Sequence, residues 1–183
     1  MNLPNKLTML RIVLAPVFLA VLYWGFPGAD YAALAIFIIA SLTDLLDGKI
    51  ARKYGLVTDF GKFADPLADK ILVVSAMLWF VEQGRMPAWM LAVVITREFA
   101  VSGLRMIAVD NGRVIAAGWS GKIKTASTMI CLCIMLAMGE LIYFSEEFCH
   151  SMDVLCITVM VTTTLYSGLE YFIKNRDVLS GPM

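Results

Sequence analysis

Residues Thr43 to Lys70 read TDLLDGKIARKYGLVTDFGKFADPLADK. Asp44 and Asp47 are three residues apart and Asp65 and Asp69 four apart, so each pair occupies one face of its helix. The intervening YGL and DFG stretches supply breakers for a turn, and two antiparallel helices joined there bring the pairs face to face. Four carboxylates then share one pocket. A blander reading makes them helix caps and surface charges; Asp65 before Pro66 has the pattern of an N-cap followed by the first helical residue, but that explains one aspartate of the four. Asp59 breaks the spacing and is read as a solvated loop charge.

Outward from this stretch the chain turns apolar. Of 183 residues 60% are hydrophobic and only 16% charged, with a mean hydropathy of +0.77, outside the balance of a soluble domain. A bilayer span needs about 20 mostly apolar residues. Six runs qualify, at residues 8–25, 31–51, 65–82, 87–108, 122–142 and 152–173, and short connections make neighbours antiparallel. The expectation is a single domain over residues 1–183, an all-α membrane protein of six transmembrane helices. Lys6, Arg11, Lys49, Arg52, Lys53, Lys62, Arg105, Arg113, Lys122, Lys124, Lys174 and Arg176 fall on one side, against Arg85 alone on the other. Lys and Arg mark the cytoplasmic side, so both termini and the aspartates are expected there. The turns at Pro27-Gly28 and Gly84 to Pro87 and the acidic connection Glu140 to Asp153 lie outside, with Trp24, Trp89 and Tyr143 at headgroup level. No small-x-small cleavage site follows the first apolar run, so the N-terminus is read as mature.

Anions at the edge of a hydrocarbon layer repel and are costly to desolvate, so the four aspartates call for a cation. His150, the only histidine, is placed in the acidic connection, and Cys131, Cys133, Cys149 and Cys156 form no CxxC pair. A His-ligated metal and a Ser-His-Asp triad are therefore excluded. Oxygen-only ligands favour Mg²⁺ or Mn²⁺. Gly48 and Ala51 leave room for a diphosphate to approach the helix, and the planar fork of Arg52 suits phosphate oxygens. Formal net charge is zero, and no nucleic-acid partner is implied. The methionines, Met129, Met135 and Met138 among them, are read as core or lipid-facing filler.

Written as a pattern, the stretch is Asp44, two residues, Asp47-Gly48, two residues, Ala51-Arg52, eight residues, Gly61, three residues, Asp65, three residues, Asp69. It resembles the CDP-alcohol phosphotransferase signature at every fixed position. LPNKLTMLR, ITREFAVSGLR, GKIKT and SGLEYF are similar to segments of the bacterial members that use glycerol 3-phosphate as acceptor. The resemblance implies six transmembrane helices around a cytoplasm-facing polar cavity, a homodimer in the bacterial inner membrane, and phosphatidyl transfer from CDP-diacylglycerol with release of CMP. By position, Asp44, Asp47 and Asp65 would bind two divalent ions, Asp69 would serve as base and metal ligand, and Gly48, Arg52 and Thr58 would contact the CDP group.

The acceptor is read from cations at membrane depth. Arg97 lies mid-span, where an arginine is costly unless it faces a polar interior. Arg105 is about 80° further round the helix and roughly 12 Å along it, and Lys122 and Lys124 open the next span. Such a basic pocket suits glycerol 3-phosphate, a dianion. The alternative pairs Arg97 with Glu98 or Glu170 and leaves the others as ordinary cytoplasmic charges. Sister enzymes using inositol phosphate, serine or choline share the signature. A prenyltransferase would carry two separate aspartate motifs on different helix bundles, and a transporter would show internal repeats and broken helices; neither pattern is evident.

Overall fold

The computed structural model describes residues 3–54, 59–110, 112, 115–116, 118–139 and 145–178, with side chains described at 5–43, 64, 67–68 and from 70 onward within those ranges. Among the described residues the fold is all helix: α1 Leu3–Trp24, α2 Ala29–Tyr54, α3 Asp59–Glu82, α4 Ala88–Asp110, α5 Trp119–Ala137, α6 Glu146–Lys174, and a closing 3₁₀ turn Arg176–Val178.

α1 packs against α2 and α3, α5 against α6 and α2, and α4 against α6 and, less extensively, α3. The buried stripe of α1 explains its central place. Thr8, Arg11, Ala15, Phe18 and Leu22 are buried, at the alternating three- and four-residue spacing of one helical face. Phe18 and Phe37 meet at 6.2 Å between ring centroids, within a core that also holds Met77, Phe80, Met90, Leu132, Met135 and Met160. Outward-facing positions are apolar too: Val13, Val17, Ile39, Phe99, Met106, Ile130, Leu155 and Leu169 are exposed. Apolar surface on both sides is the signature of a bundle solvated by lipid. α1, α5 and α6 each contain a segment long and apolar enough to cross a membrane, within Asn5–Trp24, Trp119–Ala137 and Glu146–Lys174.

Cross-bundle contacts fix which helix ends lie together. At one end the Tyr23 hydroxyl donates to Glu82, a Cβ on Gly139 would collide with the Asp30 carboxylate, and Arg85 reaches Asp153. From there towards the second end, at the middle of α3 and α4 and the start of α5, Lys70 meets Ser102, Lys124 meets Glu98, and Arg97 meets Ser167. The helices therefore alternate in direction, and the start of α1, the end of α2 and the start of α3 share the second end. The basic residues expected on one side lie at or towards that end wherever their helices are described.

Several boundaries differ from expectation. α3 begins at Asp59, so Asp59 opens a helix rather than sitting in a loop, and the DFG stretch is helical. Asp65 and Pro66 lie inside α3, which removes the N-cap reading of Asp65; Pro66 forgoes one backbone hydrogen bond there. α5 spans 119–137, ending before the expected 142. α6 starts at Glu146, because Ser145 caps it, accepting from the Phe148 amide at 3.3 Å, and Glu146 and Glu147 sit favourably in the positive first turn. His150 is thus on a helix. Thr58 and Tyr143 lie outside the described residues.

The threonines of α6 hide their hydroxyls in their own helix. Thr158 donates to the Val154 carbonyl at 2.8 Å, Thr162 to Thr158 at 2.8 Å and Thr163 to Val159 at 2.7 Å. The Thr163 hydroxyl also lies 3.2 Å from Ser127 Oγ on α5.

Candidate active site

α2 carries Asp44, Asp47, Gly48 and Arg52 in its last three turns, and α3 carries Asp65 and Asp69 in its second and third. Both segments sit at the same end of the bundle, as two antiparallel helices require. The side chains of these six residues lie outside the described set. His150 is at the far end on α6. The free thiols of Cys131, Cys133 and Cys156 lie within α5 and α6. Among the described residues no imidazole or thiol lies at that end, and carboxylates are donors of the kind that hard divalent cations take.

Polar residues of α1 approach the same end. Asn5, Thr8 and Arg11 are buried, the last at 2% exposure, on the face that α1 turns into the bundle. Sequence reading counted Arg11 only as a flanking charge. The signal was present in the spacing, since Arg11 continues the stripe of Ala15, Phe18 and Leu22 towards the N-terminus.

The predicted basic residues divide into two groups. Arg97 and Lys124 converge on one carboxylate: Glu98 Oε1 accepts from Lys124 Nζ at 2.5 Å and from an Arg97 terminal nitrogen at 3.0 Å. The other Arg97 terminal nitrogen donates to Ser167 Oγ at 3.0 Å, while its buried Nε has no hydrogen-bond partner. Small residues make room for it, since a Cβ on Gly168 would stand 3.2 Å from Arg97 Cγ and one on Gly121 3.9 Å from its terminal nitrogen. Lys124 is only 5% exposed. Lys70, from α3, donates to Ser102 Oγ at 2.7 Å and lies 3.8 Å from Glu98 Oε2.

Arg105 and Lys122 stand apart from this knot. Arg105 Nε donates to the Tyr171 hydroxyl at 3.0 Å, with the guanidinium 5.5 Å from the same ring centroid. Lys122 is exposed, its ammonium 5.0 Å from the Trp119 ring centroid. Glu170, weighed as a partner for Arg97, is instead bonded to Lys174. Glu98, Lys70, Ser167 and Tyr171 were not assigned to the site from sequence. A groove of about 250 Å³ on α5 and α6, lined by Ser120, Ile123, Thr162, Thr163 and Tyr166, includes none of the predicted site residues.

Among the described side chains, Arg97, Lys124 and Lys70 gather on Glu98 in a partly buried cluster, and α3, which carries Asp65 and Asp69, contributes Lys70 to it. The CDP-alcohol phosphatidyltransferase family profile matches residues 1–166. The chain is 45% identical to a Bacillus subtilis CDP-diacylglycerol–glycerol-3-phosphate 3-phosphatidyltransferase, over 97% of each chain. It is 34% identical to the Salmonella typhimurium protein of the same name, over 97% of each. A Shigella flexneri protein, also so named, is 34% identical over 96% of this chain and 95% of its own.

Proposed function

We propose that this chain, which belongs to the CDP-alcohol phosphatidyltransferase family, transfers the phosphatidyl group of CDP-diacylglycerol to sn-glycerol 3-phosphate, giving phosphatidylglycerophosphate and CMP. The observation that carries the reading is the 45% identity to the Bacillus subtilis enzyme over 97% of both chains. The partly buried Arg97 and the buried Lys124 support an anionic acceptor independently.

In the reaction a hydroxyl oxygen of the acceptor attacks the lipid-side phosphorus of CDP-diacylglycerol. A new P–O bond forms, the bond to the CMP oxygen breaks, and the hydroxyl proton leaves to a base. Asp69 is assigned that proton, because it closes the signature on α3 and its neighbour Lys70 reaches towards the cationic cluster. Asp44, Asp47 and Asp65, with Asp69, would hold two Mg²⁺ or Mn²⁺ ions, which when bound supply charge neutralisation for the diphosphate and the leaving group. Gly48, Arg52 and Thr58 are assigned to the CDP group. Arg97, Arg105, Lys122 and Lys124 are assigned to the acceptor phosphate, with Arg97 and Lys124 pre-placed at its centre.

The surrounding architecture is proposed as six transmembrane helices, since α3 and α4 have 24 and 23 residues, roughly 35 Å at 1.5 Å per residue and enough for a hydrocarbon core of about 30 Å. The basic end then faces the cytoplasm of a bacterium, with a polar cavity opening there, both termini on that side, and the enzyme a homodimer in the inner membrane. A cysteine at Gly112 is expected to be shielded from an impermeant thiol reagent in intact cells and one at Ser145 to react, in a background without native cysteines; the reverse pattern overturns the orientation.

Purified enzyme in detergent, given CDP-diacylglycerol and a panel of acceptors, tests the reaction. CMP release is expected with glycerol 3-phosphate and Mg²⁺ or Mn²⁺ and to stop with chelator. Turnover with inositol phosphate or serine and none with glycerol 3-phosphate would assign the chain to a sister activity.

A further inference from the structure

We propose that Glu98 is a positioning residue of the acceptor site, its carboxylate fixing Lys124 and Arg97 for an incoming phosphate and tying them to α3 through Lys70. The inference rests on the acceptor reading above and extends it to a residue of the opposite charge.

A carboxylate inside an anion site weakens the field that draws the anion, so its presence needs a reason. Lys124 supplies one. Its side chain is long and flexible, is 5% exposed, and projects from α5 into a bundle where Arg97 and Lys70 are also cationic. Without a counter-charge three cations at bundle depth repel and are left uncompensated. Glu98 Oε1 answers two of them at 2.5 Å and 3.0 Å, and Oε2 faces the third at 3.8 Å. Four helices meet at this point: α3 through Lys70, α4 through Arg97 and Glu98, α5 through Lys124 and α6 through Ser167.

The knot leaves capacity for a ligand. An ammonium has three N–H donors and a guanidinium five, so Lys124 and Arg97 retain donors after serving Glu98 and Ser167, and Arg97 Nε is buried without a partner. Among the described side chains, three cations face one carboxylate, a surplus of positive charge that suits a phosphomonoester. Holding the donors in place before binding lowers the ordering cost that the acceptor must meet. Lys70 directly follows Asp69, so the same carboxylate registers the acceptor cations against the helix that carries the proposed base.

Steady-state kinetics on the full-length enzyme with Glu98→Gln, Lys124→Met and the double variant test this. Loss of one charge-assisted contact is worth about tenfold or more. Each single variant is therefore expected to raise the KM for glycerol 3-phosphate about tenfold, with the KM for CDP-diacylglycerol little changed. If Glu98 acts through Lys124, the double variant is no worse than the poorer single one. Unchanged acceptor KM in Glu98→Gln, or losses that multiply in the double, overturn the proposal. An unchanged acceptor KM in Lys124→Met sinks the acceptor reading instead. Should Glu98→Gln fail to fold, Glu98→Asp, which keeps the charge but withdraws it by one methylene, carries the test: acceptor KM rises while donor KM holds, and any other pattern rejects the positioning role.

Discussion

Arg85 at one end of the helix bundle and Arg97 near its middle are both partly buried, and they are used in opposite ways. At the end away from the aspartates, Arg85 meets Asp153 through two contacts of 2.8 and 2.7 Å, donates to the Met135 carbonyl at 3.0 Å and lies 5.0 Å from the Phe80 ring centroid. One positive charge faces one negative charge in bidentate geometry, and the pair closes the turn after α3 onto α5 and α6. Deeper in the bundle Arg97 shares Glu98 with Lys124, keeps an unsatisfied Nε, and belongs to a cluster in which, among the described side chains, cations outnumber carboxylates. A balanced pair fastens helices together, whereas an unbalanced one holds donors ready for something not yet bound.

The largest expected break in this comparison comes from the acidic side of the second end. Asp69→Asn is expected to lower turnover by about 10² to 10⁴, the range for loss of a general base, with lost metal ligation adding to it, while much of the CDP-diacylglycerol affinity remains. Asn at Asp44, Asp47 or Asp65 is expected to weaken CDP-lipid and Mg²⁺ binding together. Rate and binding measured on all four variants decide the division of labour: an active Asp69→Asn enzyme removes the base assignment, and equal binding loss in all four leaves only metal ligands.

A smaller effect of a different kind is expected at the first end. Arg85→Met strands a buried Asp153 carboxylate and is expected to cost about 3 kcal/mol of stability, a fall of roughly 5–10 °C in Tm for a chain of this size. Both KM values should hold, and adding Asp153→Asn should restore part of the loss. A raised acceptor KM with unchanged Tm would erase the distinction between the two ends.

The smallest effect sharpens the geometry around Arg97. Gly168→Ala places a Cβ 3.2 Å from Arg97 Cγ, displacing the side chain by a few tenths of an ångström. Acceptor KM is expected to rise about two- to fivefold, well below the roughly 10² that a full 1 Å misplacement can cost. Gly121→Ala, with 3.9 Å of clearance, is the matched control and should be silent.

The helices were legible because apolar runs of span length announce themselves whatever surrounds them. Their ends were harder to place. Glu146 and Glu147 look like a solvated connection when judged by hydropathy, yet after the Ser145 cap the same charges favour a helix start. Arg97 was legible as a site residue because its membrane depth demands a partner, and Lys124 because it opens the next span. Of the partners of Arg97, Glu98 was named from sequence and does pair with it, whereas those on other helices were not. Ser167 lies 70 residues from Arg97 and Asp153 lies 68 from Arg85, and no periodicity within a helix encodes which face of another helix it will meet. Arg85 consequently read as a lone charge in a turn, although it anchors three helices.

At 29 residues α6 is the longest helix, roughly 43 Å at 1.5 Å per residue, and it exceeds a hydrocarbon core of about 30 Å. Excess length in a bilayer is usually absorbed by tilt, a sharp kink or local thickening of the lipid. The shared carbonyls at Val154, Thr158 and Val159 offer a fourth route, because hydroxyl back-bonding loosens successive backbone hydrogen bonds and bends a helix gradually. Such back-bonding along α6 makes gradual curvature, rather than one sharp kink, the way in which a helix of this length can be accommodated.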